Sequence, residues 1–213
     1  MKKILLFAVC VVMLLVCTSC ADNTTKTEQP ITTQSTVQTK SLDELTQNTV
    51  AIAIELEDGR SMNAVLYPDL APETVDNFLK LIDEDFFSGL IFHRVIPEFM
   101  IQGGGMDKDM TEKETNTIKG EFDINGFKNP LPHERGVLSM ARTNVPDSAS
   151  SQFFIMHKDS PHLDGQYAAF GKISDEESLK VVDEIANVPT TSVGMHQDVP
   201  SEPIIIKTIK RAQ

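Results

Sequence analysis

The chain of 213 residues has no tryptophan and only three cysteines. Cys10, Cys17 and Cys20 all lie within the first twenty residues, so the rest of the chain can hold neither a disulfide nor a thiolate metal site. The five histidines show no spacing typical of metal ligands. His133-Glu134 is not followed by a second histidine at the position that a zinc protease requires. We therefore expect no metal and no other cofactor.

Basic residues are also scarce. Lysine and arginine total 19 against 31 aspartates and glutamates, which gives a formal net charge of -12. Binding to nucleic acid depends on clustered lysine and arginine side chains that neutralise phosphates. This composition therefore argues against a nucleic-acid partner, although it does not identify a substrate.

Residues 4–16 form an unbroken apolar run that follows the basic start Met1-Lys2-Lys3. A membrane-spanning helix needs about 20 apolar residues, so this run is too short and is typical of a secretory signal peptide. The small residues before Cys20 resemble a bacterial lipobox, with Cys17 at a position where leucine or another aliphatic residue is preferred.

We accordingly expect residues 1–19 to be a signal peptide and Cys20 to be acylated, for example with palmitate. The protein would then be held at the bacterial cell membrane by an N-terminal lipid anchor, on the extracytoplasmic side. Cleavage without lipid and an uncleaved anchor are the alternatives.

Residues 20–47 are rich in threonine, glutamine, asparagine and serine and contain few large apolar residues. Such a segment buries too little surface to offset the entropy lost on ordering. The composition predicts a flexible linker between the anchor and a folded domain of residues 48–213. An N-terminal arm packed on that domain is the alternative.

The domain begins with strand patterns. Residues 50–56 alternate between apolar and other side chains, Asp58-Gly59 is a hairpin signal, and residues 61–66 form the returning strand. Further short strands are predicted at residues 136–140, 152–156 and 167–171, and a closing strand at 204–209.

Two amphipathic helices interrupt these strands. The first has Pro72 at its first position, and the second follows Ser174-Asp175-Glu176-Glu177, which we interpret as a capping box. Many short strands with two helices predict a mainly β fold, a closed antiparallel barrel with helical plugs. Gly103-Gly104-Gly105 is expected to open an irregular segment that reaches about Arg135, in which the glycines permit tight turns.

The stretch from Phe92 to Gly104 carries the most informative polar residues. Pro97 divides it into two strand-like runs. We expect Arg94, Met100 and Gln102 to share one face, while the apolar residues of the other face cover the core: Ile91, Val95, Phe99 and Ile101. An apolar surface with two hydrogen-bonding tips suits a peptide. The alternative for Arg94 is a surface cation whose stem lies along apolar neighbours.

Four blocks then occur in a fixed order: FHRVIPEFMIQGG, GVLSMA, SQFFI and LDGQYAAFGK. In this order and at these separations they resemble the cyclophilin family of peptidyl-prolyl cis/trans isomerases. The resemblance extends from about Thr49 to Ile209. It implies a closed barrel of eight antiparallel strands capped by two α-helices, and an enzyme that accelerates rotation about X-Pro bonds and assists the folding of exported proteins.

The resemblance also implies a set of site residues. It makes Arg94 the catalytic residue, with Gln102 binding a substrate carbonyl and helping to hold Arg94 in place. The residues implied for substrate binding line the proline pocket or its rim: Phe99, Met100, Ala141, Arg142, Gln152, Phe154, His162, Leu163 and Tyr167. Simple core packing is the alternative for the apolar members of this set.

Three positions depart from many relatives. His162 stands where many eukaryotic members carry tryptophan, Tyr167 where they carry histidine, and Glu98 replaces a usual glycine. His93 belongs to the motif, and we interpret it as structural. We expect a monomer that acts on proline-containing polypeptides. The alternative function is a proline-peptide binding or chaperone module with little turnover, and a purely structural surface lipoprotein is a third hypothesis.

Overall fold

The computed structural model describes residues 40–212, which contain ten strands and three α-helices. The strands are β1 (Val50–Leu56), β2 (Ser61–Leu66), β3 (Leu90–Ile96), β4 (Met100–Asp107), β5 (Val137–Met140), β6 (Phe153–Met156), β7 (Ala169–Ile173), β8 (Thr190–Val193), β9 (His196–Pro200) and β10 (Ile206–Arg211). The helices are α1 (Leu42–Leu45), α2 (Pro72–Asp83) and α3 (Glu176–Ala186).

Eight strands form one antiparallel sheet in the order β10-β1-β2-β7-β5-β6-β4-β3. The two outer strands nearly close it into a barrel, because Ile91 bridges Ile205 and the Phe92 N–H donates to the Ile204 carbonyl at 3.0 Å. The prediction of an eight-stranded antiparallel barrel with helical caps is confirmed. β8 and β9 form a separate hairpin that the sequence analysis did not predict.

The barrel interior explains the alternation in β1, where Ile52, Ile54 and Leu56 are buried. The predicted turn before β2 is present, with Gly59 at a φ of +91°. Phe78 from α2 enters the core and contacts the rings of Phe87, Phe153 and Phe170. The core therefore joins α2 to the strands that carry the candidate site.

The helices begin close to the predicted positions, but their caps differ. At α2, the buried carboxylate of Glu121 accepts hydrogen bonds from the backbone N–H groups of Glu73 and Thr74. At α3, the N-cap is Asp175, whose side chain accepts from the Ser178 N–H, so the predicted capping box at Ser174 is wrong by one residue. Aspartate caps a helix as well as serine does, and the sequence alone did not rank the two.

The irregular segment that was expected to run from Gly103-Gly104-Gly105 to about Arg135 begins later than predicted, since β4 continues to Asp107. The glycines are needed for close packing. A Cβ atom at Gly103 would lie 2.8 Å from the Ile91 carbonyl oxygen, and one at Gly105 would lie 2.2 Å from Cγ of Gln152. The missing side chains therefore make room for neighbouring residues.

The end of the predicted linker is ordered in the described residues. Ser41 caps α1 in a capping box with Glu44, while Lys40 pairs with Asp69 at 2.6 Å. Leu42 and Leu45 pack against an apolar cluster that contains Leu70 and Met100. These two leucines bury more apolar surface than the polar composition of the segment suggests. Residues 40–47 thus follow the alternative of a packed arm. The predicted signal peptide, Cys20 and most of the linker lie outside the described residues.

Within residues 40–212, no helix is both long and apolar enough to cross a membrane.

Candidate active site

A cavity of about 120 Å³ opens where β3, β4 and β6 meet the segments that follow β5 and precede β7. We call it the proline cavity, after the binding role that the resemblance implies for the residues around it. Nine of the residues that the sequence analysis selected line it: Arg94, Phe99, Met100, Gln102, Ala141, Arg142, Phe154, Leu163 and Tyr167. The fold therefore brings together residues that are up to 73 positions apart in the chain. Their roles in binding and catalysis stay predictions.

The apolar side of the cavity has its own small core. Met100, Phe154 and Leu163 are buried in a cluster separate from the main core of the barrel. Strand register places Met100 opposite Met156, and Gln102 opposite Phe154. Two adjacent strands thus present apolar side chains toward one concave surface.

Phe99 was expected both to cover the core and to line the pocket, and the first expectation is wrong. It lies in the turn between β3 and β4, is only half-buried, and lines the proline cavity. The turn breaks the two-residue alternation of β3, so the core pattern of Val95 and Ile101 does not extend to it.

Arg94 and Gln102 face each other as register partners on β3 and β4. The Gln102 amide does not bond Arg94. Its Nε2 donates to Oε1 of Gln152 at 3.0 Å, and the expected help of Gln102 in holding Arg94 in place stays a prediction. Within residues 40–212 the Arg94 guanidinium makes no hydrogen bond or ion pair, which leaves its donors free at the edge of an apolar cavity.

Arg142 is held in a different way. Its Nε and Nη2 donate to the Gln166 carbonyl at 3.1 and 2.9 Å, and Nη1 donates to the Thr143 carbonyl at 2.8 Å. The guanidinium also lies over the rings of Phe122 and Tyr167, with centroid distances of 4.9 and 4.7 Å. It is therefore a fixed cation on the rim.

The two remaining predicted residues, His162 and Gln152, each contact a residue that lines the cavity. The exposed His162 ring stacks on Phe99 with centroids 5.8 Å apart, and Tyr167 meets Phe154 edge-on at 5.7 Å. Gln152 lies beside the cavity through its bond to Gln102. All of the predicted site residues in the domain are thus at or next to one cavity.

A buried histidine supports the floor of the cavity and was missed as a site residue. His133 stacks on Phe154 at 6.0 Å, its Nε2 lies 3.0 Å from Oγ of Ser139, and its Nδ1 lies 3.0 Å from a carboxylate oxygen of Asp164. Burial lowers the pKa of His133, and Asp164 partly opposes this. No local pattern in the sequence indicates these contacts, because Phe154 and Asp164 lie far from His133 in the chain.

A second histidine, His157, holds the turn that carries Phe99, and it too was missed. Its Nδ1 accepts from the Glu98 N–H at 2.9 Å, and its backbone N–H donates to the Phe99 carbonyl at 2.9 Å. Its Nε2 lies 3.3 Å from Oδ1 of Asp183 on α3. Glu98 has a φ of +61°, a conformation that costs a non-glycine residue free energy. The turn is thus maintained by contacts from outside it.

His93 lies next to Arg94 but has only 4% of its surface exposed. Its pKa is lowered to about 4, chiefly because burial penalises the charged ring, with His196 and Arg94 adding to the effect. Neutral His93 is suited to packing. Among residues 40–212 there is no cluster of three or more histidine, cysteine, aspartate or glutamate side chains that could hold a metal ion.

Comparison with known proteins gives a consistent result. Residues 50–211 match the family model described as cyclophilin type peptidyl-prolyl cis-trans isomerase. A peptidyl-prolyl cis-trans isomerase of Acinetobacter baylyi is 48% identical over 151 residues, which cover 68% of this chain and 77% of the relative. Isomerase B of Escherichia coli is 46% identical over 152 residues, covering 67% and 88%.

Solved structures extend the similarity to the fold. A cyclophilin-type isomerase of Cryptosporidium parvum is 27% identical with a TM-score of 0.65, and the match covers 78% of this chain and 99% of that one. A second structure of that protein, in the presence of the dipeptide Ala-Pro, has a TM-score of 0.63 at 28% identity and covers 76% and 99%. On the strength of the matched family model, the bacterial relatives and the shared barrel, this chain belongs to the cyclophilin family of peptidyl-prolyl cis-trans isomerases.

Proposed function

We propose that the chain is a lipid-anchored peptidyl-prolyl isomerase that acts as a monomer and assists the folding of exported polypeptides. The isomerase part of this proposal is supported by family membership and, above all, by one observation. The free guanidinium of Arg94 borders an apolar cavity of a size that suits a proline ring. A charged donor beside an apolar recess can act on the peptide bond of a residue that the recess holds.

The reaction needs no nucleophile. The barrier to rotation of a peptide bond, about 18–20 kcal/mol, arises from amide resonance. Rotation to the twisted geometry breaks that resonance and returns a lone pair to the prolyl nitrogen. An enzyme accelerates the reaction if it binds the twisted amide more strongly than the planar one.

Arg94 is suited to this role because a guanidinium stays charged and presents several N–H donors. One donor can bond the prolyl nitrogen only after it has lost its resonance, so the bond strengthens at the transition state. A second donor can hold the adjoining carbonyl. Because no partner within residues 40–212 competes for these donors, the arrangement is ready before the substrate binds.

The cavity walls supply the binding. Met100, Phe154 and Leu163 present a buried apolar surface, and Phe99 closes it from the β3–β4 turn. Burial of apolar area contributes about 25 cal/mol per Å², which anchors the ring while the preceding bond rotates. The amide of Gln102 retains its carbonyl oxygen and one N–H for the substrate backbone.

The export part of the proposal is supported by the sequence alone. Residues 1–19 have the features of a signal peptide and Cys20 follows the small residues of a lipobox. Mass spectrometry of the mature N-terminus is expected to show acylated Cys20. An N-terminus without lipid, or an uncleaved one, would contradict the anchor and leave the isomerase proposal standing.

The isomerase activity is tested by exchange NMR on a short proline peptide with the purified protein. We expect the cis/trans exchange rate to rise in proportion to enzyme concentration. The protein should also accelerate the slow, proline-limited refolding phase of an unfolded polypeptide. Saturable binding of the peptide without any acceleration would instead support the binding or chaperone module.

A further inference from the structure

A second hollow, of about 480 Å³, lies beside the proline cavity. We call it the polar hollow. It shares Arg94, Gln102 and Arg142 with the proline cavity, and its far wall is formed by His196, Gln197 and Asp198 of β9. The β8–β9 hairpin therefore contributes to the surface around Arg94. Consecutive Cα atoms are about 3.8 Å apart, so a polypeptide with its prolyl bond at Arg94 has neighbouring residues within reach of this hollow.

The charges that line the polar hollow are unbalanced. Arg94 makes no ion pair within residues 40–212, and Arg142 bonds only backbone carbonyls there. Asp198 is the one carboxylate among the lining residues, and it has no hydrogen-bond or ion-pair partner in the described part of the chain. With histidines counted as neutral, two guanidiniums and one carboxylate leave a local charge of +1 on a protein whose net charge is -12.

Arg142 keeps donors with which it can bind an anion. A guanidinium has five N–H donors, and three are used in the bonds to Gln166 and Thr143, so two remain. The side chain is already fixed by these bonds and by the rings of Phe122 and Tyr167. Because its rotamer is set before binding, little conformational entropy is lost when a ligand arrives.

We propose that the polar hollow is a substrate subsite that favours polypeptides with an acidic residue within about two positions of the proline. A carboxylate matches the geometry of a guanidinium and can form charge-assisted hydrogen bonds with it. A lysine side chain would instead meet two guanidiniums and one carboxylate, a net repulsion. This inference rests on the proposed function, because it places the prolyl bond at Arg94.

Asp198 provides a specific test, because its carboxylate lines the polar hollow and repels an acidic substrate side chain there. Its φ of +60° is a conformation that asparagine also adopts readily, so Asp198→Asn removes the charge without new backbone strain. Glu57→Gln is the matched control. Glu57 is exposed in the β1–β2 turn and lines neither the proline cavity nor the polar hollow, and its replacement changes the net charge by the same amount.

The experiment compares peptides that differ only in a glutamate, glutamine or lysine near the proline, with kcat/KM measured by exchange NMR and Kd by calorimetry. We expect the wild-type protein to favour glutamate over lysine about two- to fivefold, the range of partly exposed charge pairs. Asp198→Asn should widen this ratio by a similar factor, and Glu57→Gln should leave it unchanged. The ratio should shrink at high salt.

Equal values for the three peptides, or equal ratios for Asp198→Asn and Glu57→Gln, would overturn the subsite. The glutamine peptide tests the proposed function separately. If it binds but is not exchanged, the isomerase proposal fails, and the Kd values for the glutamate and lysine peptides still decide whether the hollow selects acidic ligands. A preference for lysine would overturn the subsite in either case.

Discussion

The turn between β3 and β4 places Phe99 at the proline cavity, and the ring of His157 accepts one of the hydrogen bonds that hold this turn. Because Nδ1 accepts the Glu98 N–H, the ring proton lies on Nε2, which faces Asp183 at 3.3 Å. Asp183 in turn accepts a hydrogen bond from Nη2 of Arg135 at 2.7 Å. The ring therefore links the turn to helix α3.

Two replacements separate the two ring nitrogens. In His157→Asn the amide oxygen can take the position of Nδ1 and accept from the Glu98 N–H. In His157→Gln the longer amide reaches toward Asp183, and the Glu98 N–H loses its acceptor. A neutral hydrogen bond contributes about 0.5–1.5 kcal/mol, which is about a two- to tenfold change in the population of the turn.

We expect His157→Gln to lower kcat/KM for exchange of a proline peptide about two- to tenfold, mainly through KM, because Phe99 then spends less time at the cavity. His157→Asn should retain more of the activity. Exchange NMR gives the rates, and urea unfolding of both variants shows whether global stability differs. The proposed role of Nδ1 is refuted if His157→Asn loses as much activity as His157→Gln. It is also refuted if the loss of activity follows the free energy of unfolding and not the presence of an acceptor for the Glu98 N–H.

Three further outcomes follow from the structure. The pKa of His93 is about 4 in the folded protein against its usual 6.5, so its contribution to stability is present above pH 6.5 and is lost as the pH falls toward 4. Urea unfolding at pH 4.5 and 7 should show a loss about 2–3 kcal/mol larger in wild type than in His93→Gln, and equal losses would contradict this. In Gly105→Ala the new Cβ must displace the side chain of Gln152. We expect kcat/KM to fall about two- to tenfold, with little change in the unfolding midpoint. Unchanged activity would show that the position of the Gln152 amide does not matter for catalysis. In Glu121→Gln one acceptor oxygen becomes an amide N–H group, which then faces the backbone N–H of Glu73 or Thr74 without accepting from it. The free energy of unfolding should fall by about 1–3 kcal/mol in a denaturant titration. An unchanged value would show that the helix cap does not need the charge.

The sequence was most informative where local pattern and fold agree. Alternation predicted β1 because the barrel buries one face of the strand, and the hairpin signal Asp58-Gly59 predicted β2 as its returning partner. Pro72 marked the start of α2 because proline fits the first turn of a helix. The residues around the cavity were selected through the resemblance to the cyclophilins. Periodicity alone would have left Phe99 as a core residue, and simple core packing was the alternative for Met100.

The remaining differences have a common physical origin in contacts between distant segments. The glycines of β4 resemble a loop in sequence, and only the positions of Ile91, Gln152 and Phe153 explain why side chains are absent there. His133 and His157 have no sequence signal, since their partners lie in other segments of the chain. The β8–β9 hairpin is polar, and its strand β8 is fully exposed, so no alternation reveals it.

The most direct test of the account is the rate of cis/trans exchange at saturating peptide for wild type, Arg94→Ala and Arg94→Lys. Loss of one donor that acts at the transition state costs about 10²–10³ in kcat. We therefore predict a fall of that size for Arg94→Ala, a smaller fall for Arg94→Lys, which keeps a donor but loses the planar fork, and little change in peptide Kd. An Arg94→Ala variant that exchanges the peptide as fast as wild type would show that the Arg94 guanidinium does not stabilise the twisted amide.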